Sequence, residues 1–345
     1  MKLLHCDSAR EADQKTIYQS GIFSYEYIAD YAKGLPGNVA KASIAGGCTD
    51  PEGNLYLGMR GDPSQVVMLD TEGNYVKCFG GELFGDYLHF MKYTPQGTLL
   101  CTDTHHHIVR EFTTEGELVR DFGNFNQPSD TGMDLDYYSR TRRRAIFPTE
   151  PYLGMPGMWV MYEAMHRVER VAGPFNMPTD VDITSTGEYI FADGYGNRAV
   201  HRFSPEGEYE KTWGGIGIWD AETDTPGRFL VVHAICVDSR DQIWVCDREK
   251  DAVHVFDREG NVIGYCSRNM GQPSGIDTDG TYIYVVGRGG YLTIFDTDIN
   301  LVAQLGTFNC DLRAHDLCAD RKGNLYLFPT HANEDHQVIK LRRMS

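Results

Sequence analysis

The sequence has no apolar run near the ~20 residues needed to span a bilayer, so no membrane role is expected. Its opening, MKLLHCDSAREADQKTIYQS, lacks the ~7–15-residue apolar core of a secretory signal, and a cytoplasmic protein is the expectation. Basic residues are scarce: 32 Lys and Arg stand against 49 Asp and Glu, a formal net charge of −17. That deficit disfavours a nucleic-acid partner, whose phosphates need Lys and Arg, and anionic membranes for the same reason. Cysteine is odd in number, at nine, and never paired as CxxC. Cys101, Cys236, Cys246 and Cys318 fall within apolar strand patterns, where a thiol acts as a small hydrophobe. Disulfides and cysteine metal sites are therefore disfavoured. What is present is ordinary globular composition, 41% hydrophobic and 12% aromatic, in 345 residues, enough for one large core or two medium ones.

One unit recurs six times: an apolar stretch, a turn, and further strands that end near Gly. The turns are DPEGNLYLG, TPQGTLLCTD, TSTGEYIFAD, DSRDQIWVCD, DTDGTYIYVV and DRKGNLYLFP, each followed by the alternation of half-buried strands. Third and fourth strands follow in stretches such as AVHRFSPEGEYEKTWGG, but the sixth unit stops after QVIKL. Four antiparallel strands recurring at this spacing predict an all-β, six-bladed β-propeller. The N-terminal segment is expected to supply the missing strand and hide the open edge. The domain reading is thus an N-terminal extension, residues 1–40, partly helical across 8–33, followed by the propeller, residues 41–345. An insertion at 129–173 separates blades 2 and 3. It carries Arg142, Arg143 and Arg144, a Pro/Gly loop, and helical spacing in MWVMYEAMHRVER. It reads equally as a lid, a subunit contact or a solvated loop, and with the N-terminal extension it is where a homo-oligomer contact would form.

Aligning the blades on their first turn brings out a slot. His89 lies eight positions before Gly97, His233 eight before Asp241 and His315 eight before Gly323, in blades 2, 4 and 6. Ala45, Thr179 and, approximately, Ser274 hold the slot in blades 1, 3 and 5. On the innermost strands of a propeller, alternate blades place three imidazoles roughly 120° apart around the channel. Three His with an open position is a catalytic zinc arrangement, although ligand type leaves iron and manganese open. Fifteen positions beyond the slot lie Arg60 and Arg248, with Arg288 at the matching place in blade 5 and Gly194, then Tyr195, in blade 3. Such guanidinium groups would attract an anionic small-molecule substrate, or else bridge blades as salt bridges. The run His105, His106, His107 looks metal-like but is consecutive in a turn.

At these residues the chain resembles the peptidyl-α-hydroxyglycine α-amidating lyase family, of the NHL-type six-bladed propellers. The match is strongest in PTDVDITSTGEYIFADGYGNRAVHRFSPEGEYEKTWG, FLVVHAICVDSRDQIWVCDRE and AHDLCADRKGNLYL, and covers about residues 45 to 341. The resemblance implies zinc on His89, His233 and His315, a catalytic Tyr195, and substrate contacts from Arg60 and Arg248. It also implies a structural calcium held by Asp316 and the backbone carbonyl of Met91. The chain departs from the family where disulfides would need Cys at Asn176 and Gly196 and near Trp244 and Val255, which agrees with a reducing compartment. Arg313 replaces a Met two positions before the last zinc His, placing another cation among the candidate catalytic residues.

The implied reaction, for a stand-alone lyase without a monooxygenase domain, cleaves R–CO–NH–CH(OH)–COO⁻ into an amide and glyoxylate or a related carbonyl compound. Two other readings remain open. One is another lyase, dehydratase or hydrolase on the same three His. The other is a non-catalytic NHL scaffold, which would have no need of channel histidines.

Overall fold

The computed structural model describes residues 16–344 other than 38, 41, 62, 135–166, 219–224, 268 and 330–337. These residues form an all-β, six-bladed propeller. Five blades are four-stranded antiparallel meanders, at residues 43–80, 88–123, 180–214, 232–267 and 273–305. In the sixth, the strands Asp316–Ala319, Leu325–Phe328 and Ile339–Arg343 are joined by Phe23–Ile28 and then Ile17–Ser20. Tyr25 pairs with Arg343 and Ile28 with Lys340, so the N-terminal segment lies against the C-terminal strand. Each innermost strand packs on the next, and that of blade 6 returns to blade 1.

Turn chemistry explains why the repeat is so regular. In most blades the first residue of the turn accepts a hydrogen bond from the backbone four residues on: Asp50 from Asn54, Asp238 from Gln242, Asp320 from Asn324 and Thr94 from Thr98. The residue before the donor takes a left-handed conformation, a glycine in three of these turns, as Gly53 at φ +91°, and Asp241 at φ +59° in the fourth. Outer turns repeat the device with Asp70, Asp257 and Asp296. Part of the acidic excess is therefore turn-forming carboxylate rather than free surface charge. Further carboxylates tie blades together: Asp180 and Asp182 accept from Ile235 and Val237 of blade 4, and Asp277 accepts from Ala319 of blade 6. Lys92 Nζ reaches Asp182 at 3.0 Å and Asp277 at 3.1 Å, linking blades 2, 3 and 5.

The expected N-terminal helix is corrected. Within 16–33 the structure has the hairpin Ile17–Ser20 and Phe23–Ile28, and the only helical turns among the described residues are the 3₁₀ segments Gly81–Leu83 and Thr104–His106. The reason is a period of two: Tyr18, Phe23 and Tyr25 are buried, whereas Ile17 and Ile22 face solvent. Residues 8–15 of that expectation lie outside the described residues. So do Arg142, Arg143, Arg144 and the expected helix at 158–170 as far as residue 166. The two stems of the insertion are described, and they are tied to the propeller. Ser129 donates its N–H to Phe175 O, and Asn197 Nδ2 donates to Ala172 O.

Candidate metal centre and channel mouth

The slot identified by repeat phase is a kink in the innermost strand. Pairing skips Ala45 between Ile44 and Gly46, His233 between Val232 and Ala234, Ser274 between Pro273 and Gly275, and His89 with Phe90 between Leu88 and Met91. A bulge re-aims the extra residue's side chain. Bulges place His89 and His233, and His315 lies just before its strand, Asp316–Ala319; the three ring centroids form a nearly equilateral triangle of 5.0, 5.0 and 4.9 Å. Their ligand nitrogens lie within 4.8 Å of one another. Phe90 packs against all three rings, at 4.2, 5.2 and 5.0 Å.

The blades without histidine hold the imidazoles in place. His89 Nδ1–H donates to Thr179 O (2.7 Å), His233 Nδ1–H to Ser274 O (2.6 Å) and His315 Nδ1–H to Ala45 O (2.7 Å). Each acceptor is the slot residue of the next blade. A carbonyl can only accept, so Nδ1 carries the proton and Nε2 presents its lone pair, the outer-sphere arrangement of metal-binding His. Burial, aided by the charge of Arg248 at all three and of Arg60 at His89 and His315, pushes all three pKa values well below the ordinary range and keeps the rings neutral. Neutral, tautomer-fixed imidazoles are the form that binds a metal ion. Tyr195 Oη lies 3.0 Å from His89 Nε2 and 2.9 Å from His233 Nε2, but its single proton can serve only one of them. The donor set therefore fits a divalent cation, and this buried His₃ group could bind one.

Tyr195 sits at the mouth in a loop shaped by two glycines. A Cβ at Gly194 would lie 1.7 Å from Val232 O, and one at Gly196 would lie 2.2 Å from Asn176 Oδ1. Both positions need the space that only Gly leaves, and the first brings the loop against the strand of His233. Arg198 Nη1 donates to Gly194 O, and the Asp193 carboxylate accepts from Asn176 N, Asn197 Nδ2 and His201 Nε2. Hydrogen bonds thus join Asn176 to this loop, Gly196 N–H donating to Asn176 O at 3.0 Å, at the two positions where the family's disulfide would need cysteines that this chain lacks. The eight described cysteines are all free. Arg248, fully buried, donates from Nη1 to Tyr195 Oη (3.3 Å) and from Nε to Glu249 (2.6 Å). Burial raises the Tyr195 phenol to about 12, against the opposing pull of Arg248 and Arg60.

Arg60 ends the second strand of blade 1, donates from Nε to Leu88 O (3.2 Å), and keeps a buried Nη2 without a hydrogen-bond partner among the described residues. Arg288 and Arg313 are half-buried in turns of blade 5 and before blade 6, and Arg313 Nη1 is committed to Asn309 Oδ1 at 2.6 Å. Asp316 and Met91 are buried on innermost strands. The Asp316 carboxylate accepts from Gly47 N–H, and burial with the nearby Asp180 carboxylate pushes its pKa well up. The His105–His107 run is not gathered. His105 pairs with Asp86, His106 with Asp103, and His107 Nδ1 accepts from Met177 N–H. Repeat phase gave no sign of Phe90 or Tyr87. The available signal was their aromatic character flanking His89 on a channel strand.

No family model matches the chain. It is 30% identical over 181 residues to peptidyl-glycine alpha-amidating monooxygenase A of Xenopus laevis, covering 46% of this chain and 18% of the frog protein. It is 23% identical over 240 residues to human NHL repeat-containing protein 3, covering 68% of this chain and 58% of that protein. The chain thus spans less than a fifth of the first relative and just over half of the second. Among solved structures, a gluconolactonase from Xanthomonas campestris superposes with a TM-score of 0.59 at 12% identity, covering 96% of each chain. A virginiamycin B lyase from Staphylococcus aureus gives 0.55 at 10%, over 92% of this chain and 99% of that one. These establish the propeller fold and a distant sequence relationship to amidating enzymes and NHL repeat proteins. No described helix is long and apolar enough to cross a membrane.

Proposed function

We propose that the protein is a metal-dependent carbon–nitrogen lyase that cleaves a small anionic N-(α-hydroxyalkyl) amide, of the α-hydroxyglycine type, to an amide and glyoxylate or a related carbonyl compound. The observation that carries this reading is the tautomer-fixed triad of His89, His233 and His315 with Tyr195 Oη within 3.0 Å of two of its Nε2 atoms. His89, His233 and His315 would hold zinc, or iron or manganese, and the bound ion would supply Lewis acidity toward the substrate hydroxyl.

The chain's own residues account for the rest. Arg60, through its unpartnered Nη2, binds the substrate carboxylate, and Arg248 adds positive charge beside it. Tyr195 acts from its phenolate form, which the charges of Arg248 and Arg60 favour against burial and which a bound cation would favour further; it takes the proton of the hydroxyl and returns it to the amide nitrogen as the C–N bond breaks, so the products contain every atom of the substrate and no water is used. Arg248 favours the deprotonated phenol during that transfer, opposing the effect of burial. Phe90 packs beneath the three rings and keeps that side of the site dry. A structural calcium on Asp316, with Met91 O, belongs to the same proposal.

The test is elemental analysis of purified protein followed by a glyoxylate assay on small N-acyl-α-hydroxyglycines. About one divalent ion per chain and metal-dependent glyoxylate release are expected. A metal-free protein would remove the reading, and a metalloprotein inert on these amides would shift it to another lyase or hydrolase on the same triad.

A further inference from the structure

The mouth contains a side chain that neither the repeat nor the proposed reaction uses. Tyr87 lies two residues before His89, its ring centroid 6.1 Å from that of His89 and 6.5 Å from that of Tyr195. The Arg60 guanidinium carbon sits over the Tyr87 ring at 4.1 Å. The His105 imidazole stacks on the same ring at 4.6 Å, with 13° between planes. Tyr87 thus carries both the guanidinium and the imidazole against its ring. Asp86 in turn holds His105 Nδ1 at 2.7 Å. Tyr87 is half-buried and belongs to none of the hydrophobic clusters between blades among the described residues, so filling a core does not explain it. Arg60 has one further fixed point, its Nε bond to Leu88 O, the residue after Tyr87.

We propose that Tyr87 is a positioning residue, its ring in contact with both His105 and Arg60, that fixes the Arg60 guanidinium so that its Nη2 is ready for the substrate carboxylate. An arginine held by a planar aromatic face on one side and a carbonyl on its Nε keeps one orientation, and so loses less rotamer freedom when an anion binds. The inference rests on the anionic-substrate reading given above, and the experiment separates the two.

Binding of N-acetylglycine, an unreactive carboxylate, and of N-acetylglycinamide, its neutral counterpart, is measured by calorimetry on the metal-containing protein. Wild type should prefer the carboxylate. Tyr87→Leu should weaken carboxylate binding roughly three- to thirtyfold, the range of a cation–π contact, and leave the amide unchanged. Tyr87→Phe, which keeps the ring, should restore the preference. His105→Ala, removing the imidazole stacked on the ring, should produce a smaller loss in the same direction and serves if Tyr87→Leu does not fold. A wild-type preference retained in Tyr87→Leu, or in His105→Ala where that variant stands in for it, overturns the role of Tyr87 and leaves the anionic reading standing. Equal binding of the two probes by wild type overturns the anionic reading and the role of Tyr87 together.

Discussion

Replacing Tyr195 by Phe isolates a single oxygen. The ring is almost fully buried and keeps its packing, while the hydroxyl that lies 3.0 Å from His89 Nε2, 2.9 Å from His233 Nε2 and 3.3 Å from Arg248 Nη1 is lost. If Tyr195 moves the substrate proton, kcat should fall by ~10²–10⁴-fold, about 3–5 kcal/mol in the barrier, with little change in KM because the carboxylate is held by Arg60. Stability supplies an independent readout. In metal-free protein the variant leaves one buried imidazole nitrogen and a guanidinium N–H short of a partner, a loss of about 1–3 kcal/mol. In metal-loaded protein the Nε2 lone pairs are ligated, so the difference should shrink. Steady-state kinetics and thermal unfolding with and without metal test both halves. Undiminished kcat, or a loss confined to KM, would refute the assignment and leave the hydroxyl a packing feature.

His233→Ala should lose the metal and all lyase activity while remaining folded, since its ring lies among the channel imidazoles and meets the cores between blades through Phe90; full metal occupancy by elemental analysis would contradict this. Gly194→Ala should lower kcat by about 10²-fold, because a Cβ at 1.7 Å from Val232 O forces the Tyr195 loop away from His233, and misplacement of about 1 Å is enough for such a loss; wild-type kinetics would show that the loop position is immaterial. His107 must be neutral to accept from Met177 N–H, and burial lowers its pKa to about 4, so its contribution is present above the unfolded value of ~6.5 and is lost as pH falls toward 4. At most about 3 kcal/mol is involved, and His107→Asn, which suits the φ of +57°, should flatten the stability profile over that window in chemical unfolding; an unchanged slope would place the acid sensitivity elsewhere.

The triad was legible because a propeller repeats its turn chemistry. Once Asp or Thr at the start of the turn and Gly within it mark the phase, any residue recurring at one offset lies at one height in the channel. His89, His233 and His315 share that offset, and so do Ala45 and Thr179, whose carbonyls hold His315 and His89; Ser274, which holds His233, lies six rather than eight positions before its turn Gly280. The N-terminal hairpin was harder to read, since Ile17 and Ile22 remain exposed beside buried Tyr18, Phe23 and Tyr25, and apolar residues on both faces blur the period of two. Arg313 shows the opposite limit. Its place beside His315 in sequence says nothing of its direction, which Asn309 sets.

Periodicity fixes a residue within its own blade, but the chemistry here depends on what the neighbouring blade presents. His89 takes its tautomer from Thr179, 90 residues away and across the insertion, and His315 from Ala45, 270 residues away, a contact that exists only because the last blade closes on the first. The mouth is built the same way. Arg60 from blade 1 lies on Tyr87 at the entry to blade 2, and Arg248 from blade 4 reaches Tyr195 from blade 3. Each imidazole or guanidinium belongs to one repeat and is oriented by another. A single-site substitution at Thr179 or Ser274 would therefore leave the orienting contact intact, because the backbone carbonyl remains, whereas a change in how adjacent blades pack would disturb it without altering any ligand.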